Sequence, residues 1–171
     1  MSFSRRSFLR LALGTGLLAS SGYILKNVFF PSQITAREVK TLEAFLDTLI
    51  PSDETPGALE LGVAERIRLL ADKDYRYRRL LKSGCGWLDN KASERTADTF
   101  SSLNPDKREE VVREAAGSGR ESLPRIFFER VRFDAFTHYY ARPETWKSLG
   151  YKGPPQPEGF PDYAYAPPHR A

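Results

Sequence analysis

Two histidines, one cysteine and a few pairs of carboxylates are the residues of this chain best suited to chemistry. His138 falls in a run of aromatic residues and His169 lies far from it, so no His-rich metal site is expected. His138 reads as a packing or surface histidine rather than a general base. Cys85, alone, can form no internal disulfide, and multi-cysteine zinc, iron–sulfur or c-type haem motifs are excluded within the chain. Asp53-Glu54, Asp72 with Asp74, and Glu109-Glu110 sit beside arginines or in polar stretches, the setting of solvated faces rather than acid/base pairs. There is no Gly-x-Ser-x-Gly elbow, and Gly14-Thr-Gly16 lacks the third glycine and the preceding strand of a dinucleotide fingerprint. Tyr75-Arg-Tyr-Arg-Arg79 interleaves aromatic and basic residues as single-strand binders do, but one such run reads as a helix surface. The reading is therefore of no catalytic, cofactor-binding or metal-binding residue in this chain.

Charge points the same way. The 171 residues carry 26 Lys and Arg against 22 Asp and Glu. Four of those bases, Arg5, Arg6, Arg10 and Lys26, lie in residues 1–30 with no acid, so residues 31–171 balance at 22 against 22. A neutral body lacks the electrostatic footprint of a nucleic-acid binder, and no nucleic-acid partner is expected. Eleven Phe, eight Tyr and two Trp supply enough apolar surface for a folded core.

The basic segment has its own pattern. Ser4-Arg5-Arg6-Ser7-Phe8-Leu9-Arg10 matches the twin-arginine export signal, with Arg5, Arg6, Phe8 and Leu9 as the residues the translocase would read. The apolar stretch from Leu11 to Leu25 is 15 residues long, short of the roughly 20 that cross a bilayer. Ala19 and Ser21 are small enough to precede a cut at Gly22, yet no clean Ala-x-Ala is present, so cleavage and retention as an anchor both stay open. The expected location is the periplasm, or the periplasmic face of the inner membrane. After export, Cys85 is either buried and inert or able to form an intersubunit disulfide.

The elements that must position any surface are helical. Thr35-Ala-Arg-Glu38 has the form of a capping box, and Val39, Leu42, Phe45, Leu46, Leu49 and Ile50 follow at helical spacing up to Pro51. Pro51 to Gly57 is a turn-rich loop, and a second helix is expected over Ala58 to Ala71, or starting later because of Gly62. A third covers Tyr75 to about Thr96, with Gly84 and Gly86 weakening it. Asn104-Pro105 caps a fourth, which Gly117-Ser-Gly119 ends. The strongest runs from Leu123 to Tyr140 and stops at Arg142-Pro143. Its apolar residues cover more than one face, which predicts a central helix or one with a side turned to another protein. No run alternates with period two.

The fold class is accordingly all-α. A single helical domain over residues 31–142 follows the leader, residues 1–30, and precedes an extended Pro- and aromatic-rich arm over residues 143–171. That arm holds seven prolines, with Trp146, Tyr151, Phe160, Tyr163 and Tyr165 between them. It either folds back over its own helices or wraps a partner. Candidate partner contacts are Phe127, Phe128, Tyr139 and Tyr140 on the last helix and Trp146, Tyr151, Phe160 and Tyr163 in the arm, since aromatics anchor interfaces.

Four segments together resemble the small (gamma) subunit family of gluconate 2-dehydrogenase and related membrane-bound sugar dehydrogenases. They are the leader Ser4–Leu9, the run Leu42-Glu-Ala-Phe-Leu-Asp-Thr-Leu-Ile-Pro51, Thr55-Pro-Gly-Ala58 leading into Gly62-Val-Ala-Glu-Arg-Ile67, and Trp146-Lys-Ser-Leu-Gly-Tyr-Lys-Gly-Pro-Pro155. The resemblance implies a non-catalytic subunit without a cofactor. Its partner would be a glucose-methanol-choline-type flavoprotein holding FAD, at times joined by a cytochrome c subunit. The small subunit would supply the export signal for the folded partner and assist its maturation. Two alternatives are a stand-alone exported helical binding protein or enzyme, which would act as a monomer, and a transient maturation chaperone, which would be missing from the mature complex.

Overall fold

The computed structural model describes residues 33–153. The chain divides into two units, residues 1–35 and residues 36–171. Of the first, Gln33, Ile34 and Thr35 are described; the export-signal residues Arg5, Arg6, Phe8 and Leu9 lie outside the described residues.

The second unit is helical, and no strand occurs among its described residues. Its elements are α1 (Ala36–Leu49), α2 (Val63–Lys73), α3 (Tyr75–Ser93), a 3-10 turn (Phe100–Ser102), α4 (Pro105–Gly117), α5 (Leu123–Tyr140) and the single-turn α6 (Pro143–Trp146). The stop and start signals act where their chemistry requires. Pro51 follows the end of α1, and Asn104 Oδ1 accepts the Lys107 N–H at 2.9 Å ahead of Pro105. Asp74, one of the acidic residues expected on a solvated face, also caps α3. Its carboxylate accepts the N–H groups of Arg76 at 2.8 Å and Tyr77 at 3.3 Å. The second helix begins at Val63, five residues after Ala58, because Gly62 takes a left-handed backbone with φ 67° that cannot continue an α-helix.

α3 and α5 form the centre. α3 packs against α1, α2, α4, α5 and the 3-10 turn, while α5 packs against α2, α3, α4 and α6. Phe45 of α1, Ile67 of α2, Leu81 and Leu88 of α3, Val111 of α4, and Phe127 and Val131 of α5 are buried in this core, together with Phe100 of the 3-10 turn. Phe45 and Phe127 meet with ring centroids 5.0 Å apart and tilted by 52°. Gly84, which on propensity weakens α3, lies at this crossing against the Phe127 ring.

The segment from Pro143 onward is not extended where it is described. Residues 143–153 hold α6 and a turn folded against the end of α5, and the described part of the helical unit therefore runs to Gly153 rather than stopping at 142. Thr145 is buried, with its hydroxyl donating to the Arg142 carbonyl at 2.8 Å. Trp146 Nε1 donates to the Tyr140 carbonyl at 2.8 Å, and its ring meets Tyr151 at 5.3 Å. Proline at the first helical position starts α6, and the indole N–H then satisfies a carbonyl at the end of α5.

Candidate interaction surface

Two buried carboxylates, Asp89 and Asp134, are engaged in bonds that brace the helices. Asp89 of α3 accepts from Thr41 Oγ1 at 2.9 Å, Arg37 Nε at 2.8 Å and the Phe100 N–H at 3.0 Å, joining α1, α3 and the 3-10 turn. Asp134 of α5 accepts from Arg130 Nε at 2.8 Å, and the Arg130 guanidinium lies 4.7 Å from the centre of the Tyr77 ring. Burial, and then the adjacent Asp134 charge, push the Tyr77 phenol well above its ordinary range. Neither acid was singled out in the sequence, although both left a signal. Asp89 stands on the same helical stripe as Leu81, Cys85 and Ala92, and Asp134 on that of Phe127 and Val131.

The carboxylate pairs read as solvated are spent locally. Asp53 accepts from the N–H and hydroxyl of Thr55 at 2.8 and 3.0 Å, which hold its carboxyl below the usual range. Asp72 pairs with Arg68 at 3.3 Å, and Glu109 with Arg113 at 2.6 Å. In the aromatic–basic run, Tyr77 is buried and Arg78 Nη1 donates to the Ala71 and Asp72 carbonyls, both at 3.3 Å, at the end of α2. His138 is half-buried on α5, and His169 lies outside the described residues. Among the described residues no group of three His, Cys, Asp or Glu is placed to hold a metal ion, and no helix is long and apolar enough to cross a membrane.

Cys85 is inside the protein. Its Sγ lies between α1 and α3 and donates to the Glu38 carbonyl at 3.6 Å. Burial, with the nearby Glu38 and Asp89 carboxylates, drives the thiol far above its ordinary value, against a smaller opposing effect of Lys82. An intersubunit disulfide needs an accessible thiolate, so the folded protein does not offer Cys85 as a tether.

The candidate partner contacts divide the same way. Phe127 is fully buried, and Tyr139 is 6% exposed with its hydroxyl donating to the Pro56 carbonyl at 2.9 Å. Both belong to the core, which corrects their assignment to an interface. Phe128 and Trp146 are half-buried, and the Arg132 guanidinium covers the Phe128 ring at 5.6 Å from its centroid. Tyr140 and Tyr151 remain open, each 47% exposed. Phe160 and Tyr163 lie outside the described residues.

Two residues not singled out as contacts complete the open surface. Ile126, 44% exposed, and Phe133, 69% exposed, precede Tyr140 at intervals of seven along α5. Seven residues are close to two helical turns, so Ile126, Phe133 and Tyr140 form one stripe, about 21 Å long at 1.5 Å per residue. It runs opposite the Phe127–Val131 face. Phe136 stacks on Tyr140 at 6.0 Å beside the stripe, and exposed Leu149 and Tyr151 extend the apolar surface beyond its end. The spacing of seven was present in the sequence; which of the several apolar faces of α5 stays open depends on its neighbours.

A small helical unit whose buried ionic groups brace the fold, and whose central helix keeps an aromatic stripe outside, has the build of a protein-binding subunit. Residues 36–153 match the family described as gluconate 2-dehydrogenase subunit 3, and the chain belongs to that family, the small-subunit class of a dehydrogenase complex. No curated protein and no solved structure matches the chain.

Proposed function

We propose that this chain is the non-catalytic small subunit of an exported, FAD-dependent sugar- or gluconate-type dehydrogenase. In this reading it supplies the twin-arginine signal for a glucose-methanol-choline-type flavoprotein, assists that partner's maturation, and remains with it at the periplasmic side of the inner membrane, with or without a cytochrome c subunit. The observation that carries the reading is the open Ile126–Phe133–Tyr140 stripe on a member of a dehydrogenase-subunit family. Contiguous apolar surface rimmed by charge marks protein contact sites, and aromatic side chains are the favoured anchors. The flavoprotein docks on this stripe and on Leu149 and Tyr151, and Phe160 and Tyr163 add contacts from the arm.

The test is co-expression with a glucose-methanol-choline-type flavoprotein from the same genome. A subunit co-purifies at fixed stoichiometry, whereas a transient chaperone is lost from the mature enzyme. Replacing Arg5 and Arg6 together by Lys is expected to leave both proteins in the cytoplasm. A flavoprotein that still reached the periplasm would refute the passenger mechanism.

A further inference from the structure

The described chain reaches Gly153 beside the C-terminal end of the α5 stripe. A Cβ on Gly153 would lie 3.4 Å from the Trp146 ring, whose Nε1 holds the Tyr140 carbonyl. From there the sequence continues for 18 residues, 154–171, carrying six prolines with Phe160, Tyr163 and Tyr165. A polyproline-type chain advances about 3.1 Å per residue, so residues 154–163 alone can span about 31 Å, more than the length from Tyr140 back to Ile126. Charge is complementary as well. Residues 154–163 contain Glu158 and Asp162 and no base. The stripe is flanked by Arg125, Arg130 and the exposed Arg132. Arg125 pairs with Glu129 at 2.7 Å and Arg130 with Asp134 at 2.8 Å, so these groups leave one net positive charge, centred on Arg132. Proline-rich segments bind aromatic surfaces cheaply because little conformational freedom is left to lose.

We propose that, before the flavoprotein binds, residues 154–171 of the same chain lie back along the Ile126–Phe133–Tyr140 stripe, and that the flavoprotein displaces them to reach it. The inference rests on the docking role given to this stripe above and supplies its regulation: the apolar face is covered while the subunit is alone and opened by exchange with its partner. Phe160 and Tyr163 provide the anchors, with Glu158 and Asp162 facing the flanking arginines.

Alkylation of a cysteine beside the stripe tests this in the full chain. Thr137 is exposed between Phe133 and Tyr140, and Thr137→Cys in a Cys85→Ala background gives a maleimide one site to react with. A second chain lacks residues 154–171, and Glu109→Cys on α4 serves as the distant control in both. The expected result is Cys labelling at position 137 about tenfold slower in the full chain than in the shortened one, with equal rates at position 109. Phe160→Ala with Tyr163→Ala is expected to restore the fast rate without shortening the chain, which keeps the test valid if truncation disturbs folding. Equal rates at position 137 in full, shortened and doubly substituted chains would overturn the proposal, as would protection that rises with protein concentration, the mark of a segment donated by another copy. The flavoprotein arm is separate. Tighter flavoprotein binding by the shortened chain supports exchange, and equal binding refutes it. Failure of either chain to bind the flavoprotein refutes the docking role itself, whatever the maleimide rates.

Discussion

Gly84 of α3 lies so close to Phe127 of α5 that a Cβ at position 84 would overlap Cδ2, Cγ and Cε2 of the ring. The absence of a side chain is what lets the two central helices approach. Gly84→Ala is expected to lower stability by about 1–3 kcal/mol, even though alanine gains about 1 kcal/mol in helix propensity. Urea denaturation would show it. Phe127→Ala alone should cost about 3–5 kcal/mol, and the double variant less than the sum, because removing the ring makes room for the methyl group.

Asp89 makes three hydrogen bonds with α1 and the 3-10 turn, but its ion pair with Arg37 is partly solvated, the Arg37 side chain being 60% exposed. Most of the loss on removing Asp89 therefore comes from the buried Thr41 hydroxyl and Phe100 N–H. Asp89→Ala should destabilise by about 3 kcal/mol. Asp89→Asn should cost less because it keeps an acceptor, and Arg37→Ala less than about 1 kcal/mol. A loss for Arg37→Ala as large as that for Asp89→Ala would contradict this division.

Cys85 is held protonated in the folded state by burial and by the Glu38 and Asp89 carboxylates. The unfolded thiol ionises near pH 8.5, so above that pH the unfolded chain binds fewer protons than the folded one. The thiol's contribution is complete below about pH 8.5 and is lost as pH rises toward the raised folded value. The urea midpoint should thus fall above that pH, and Cys85→Ala should flatten this part of the profile. A thiol reagent should label Cys85 only in denaturant, and complex integrity under oxidising, denaturing conditions should not depend on the residue.

Phe133 is the most open residue of the stripe, at 69% exposure. Phe133→Ser should leave the unfolding midpoint within about 0.5 kcal/mol of the parent. It should weaken flavoprotein association at least about tenfold, the effect of losing an aromatic anchor. Undiminished association, measured by titration with purified flavoprotein, would move the interface elsewhere.

The Tyr139 hydroxyl ties α5 to the 51–57 loop through the Pro56 carbonyl. Tyr139→Phe keeps the ring in the core and deletes this bond together with the longer contact of the hydroxyl with Thr55 Oγ1 at 3.4 Å. A loss of about 1 kcal/mol is expected, with faster amide exchange confined to the loop. Exchange that quickens throughout α5 would show that the hydroxyl braces the helix instead.

Local chemistry in the sequence was enough for the helices and most of their ends. Pro51, Asn104-Pro105, Gly117 and Arg142-Pro143 act within a turn of where they stand, and helical periodicity placed Leu42, Phe45 and Leu46 on the apolar face of α1, where all three are buried. Phe127 and Tyr140 are both aromatic and lie on one helix, yet one fills the core and the other meets solvent. That difference depends on which faces of α5 are covered by α2, α3, α4 and α6, a matter of long-range packing. The same holds for Cys85, enclosed because α1 crosses α3 there, and for Gly84, a weak helix residue by propensity and a required gap once Phe127 is opposite. Composition likewise predicted an extended chain from Pro143, but burying Thr145 and satisfying the Tyr140 carbonyl with Trp146 fold residues 143–153 against α5. Sequence determined the elements because their signals are short-range; tertiary structure decided which faces remain open, because burial belongs to the neighbours a residue meets.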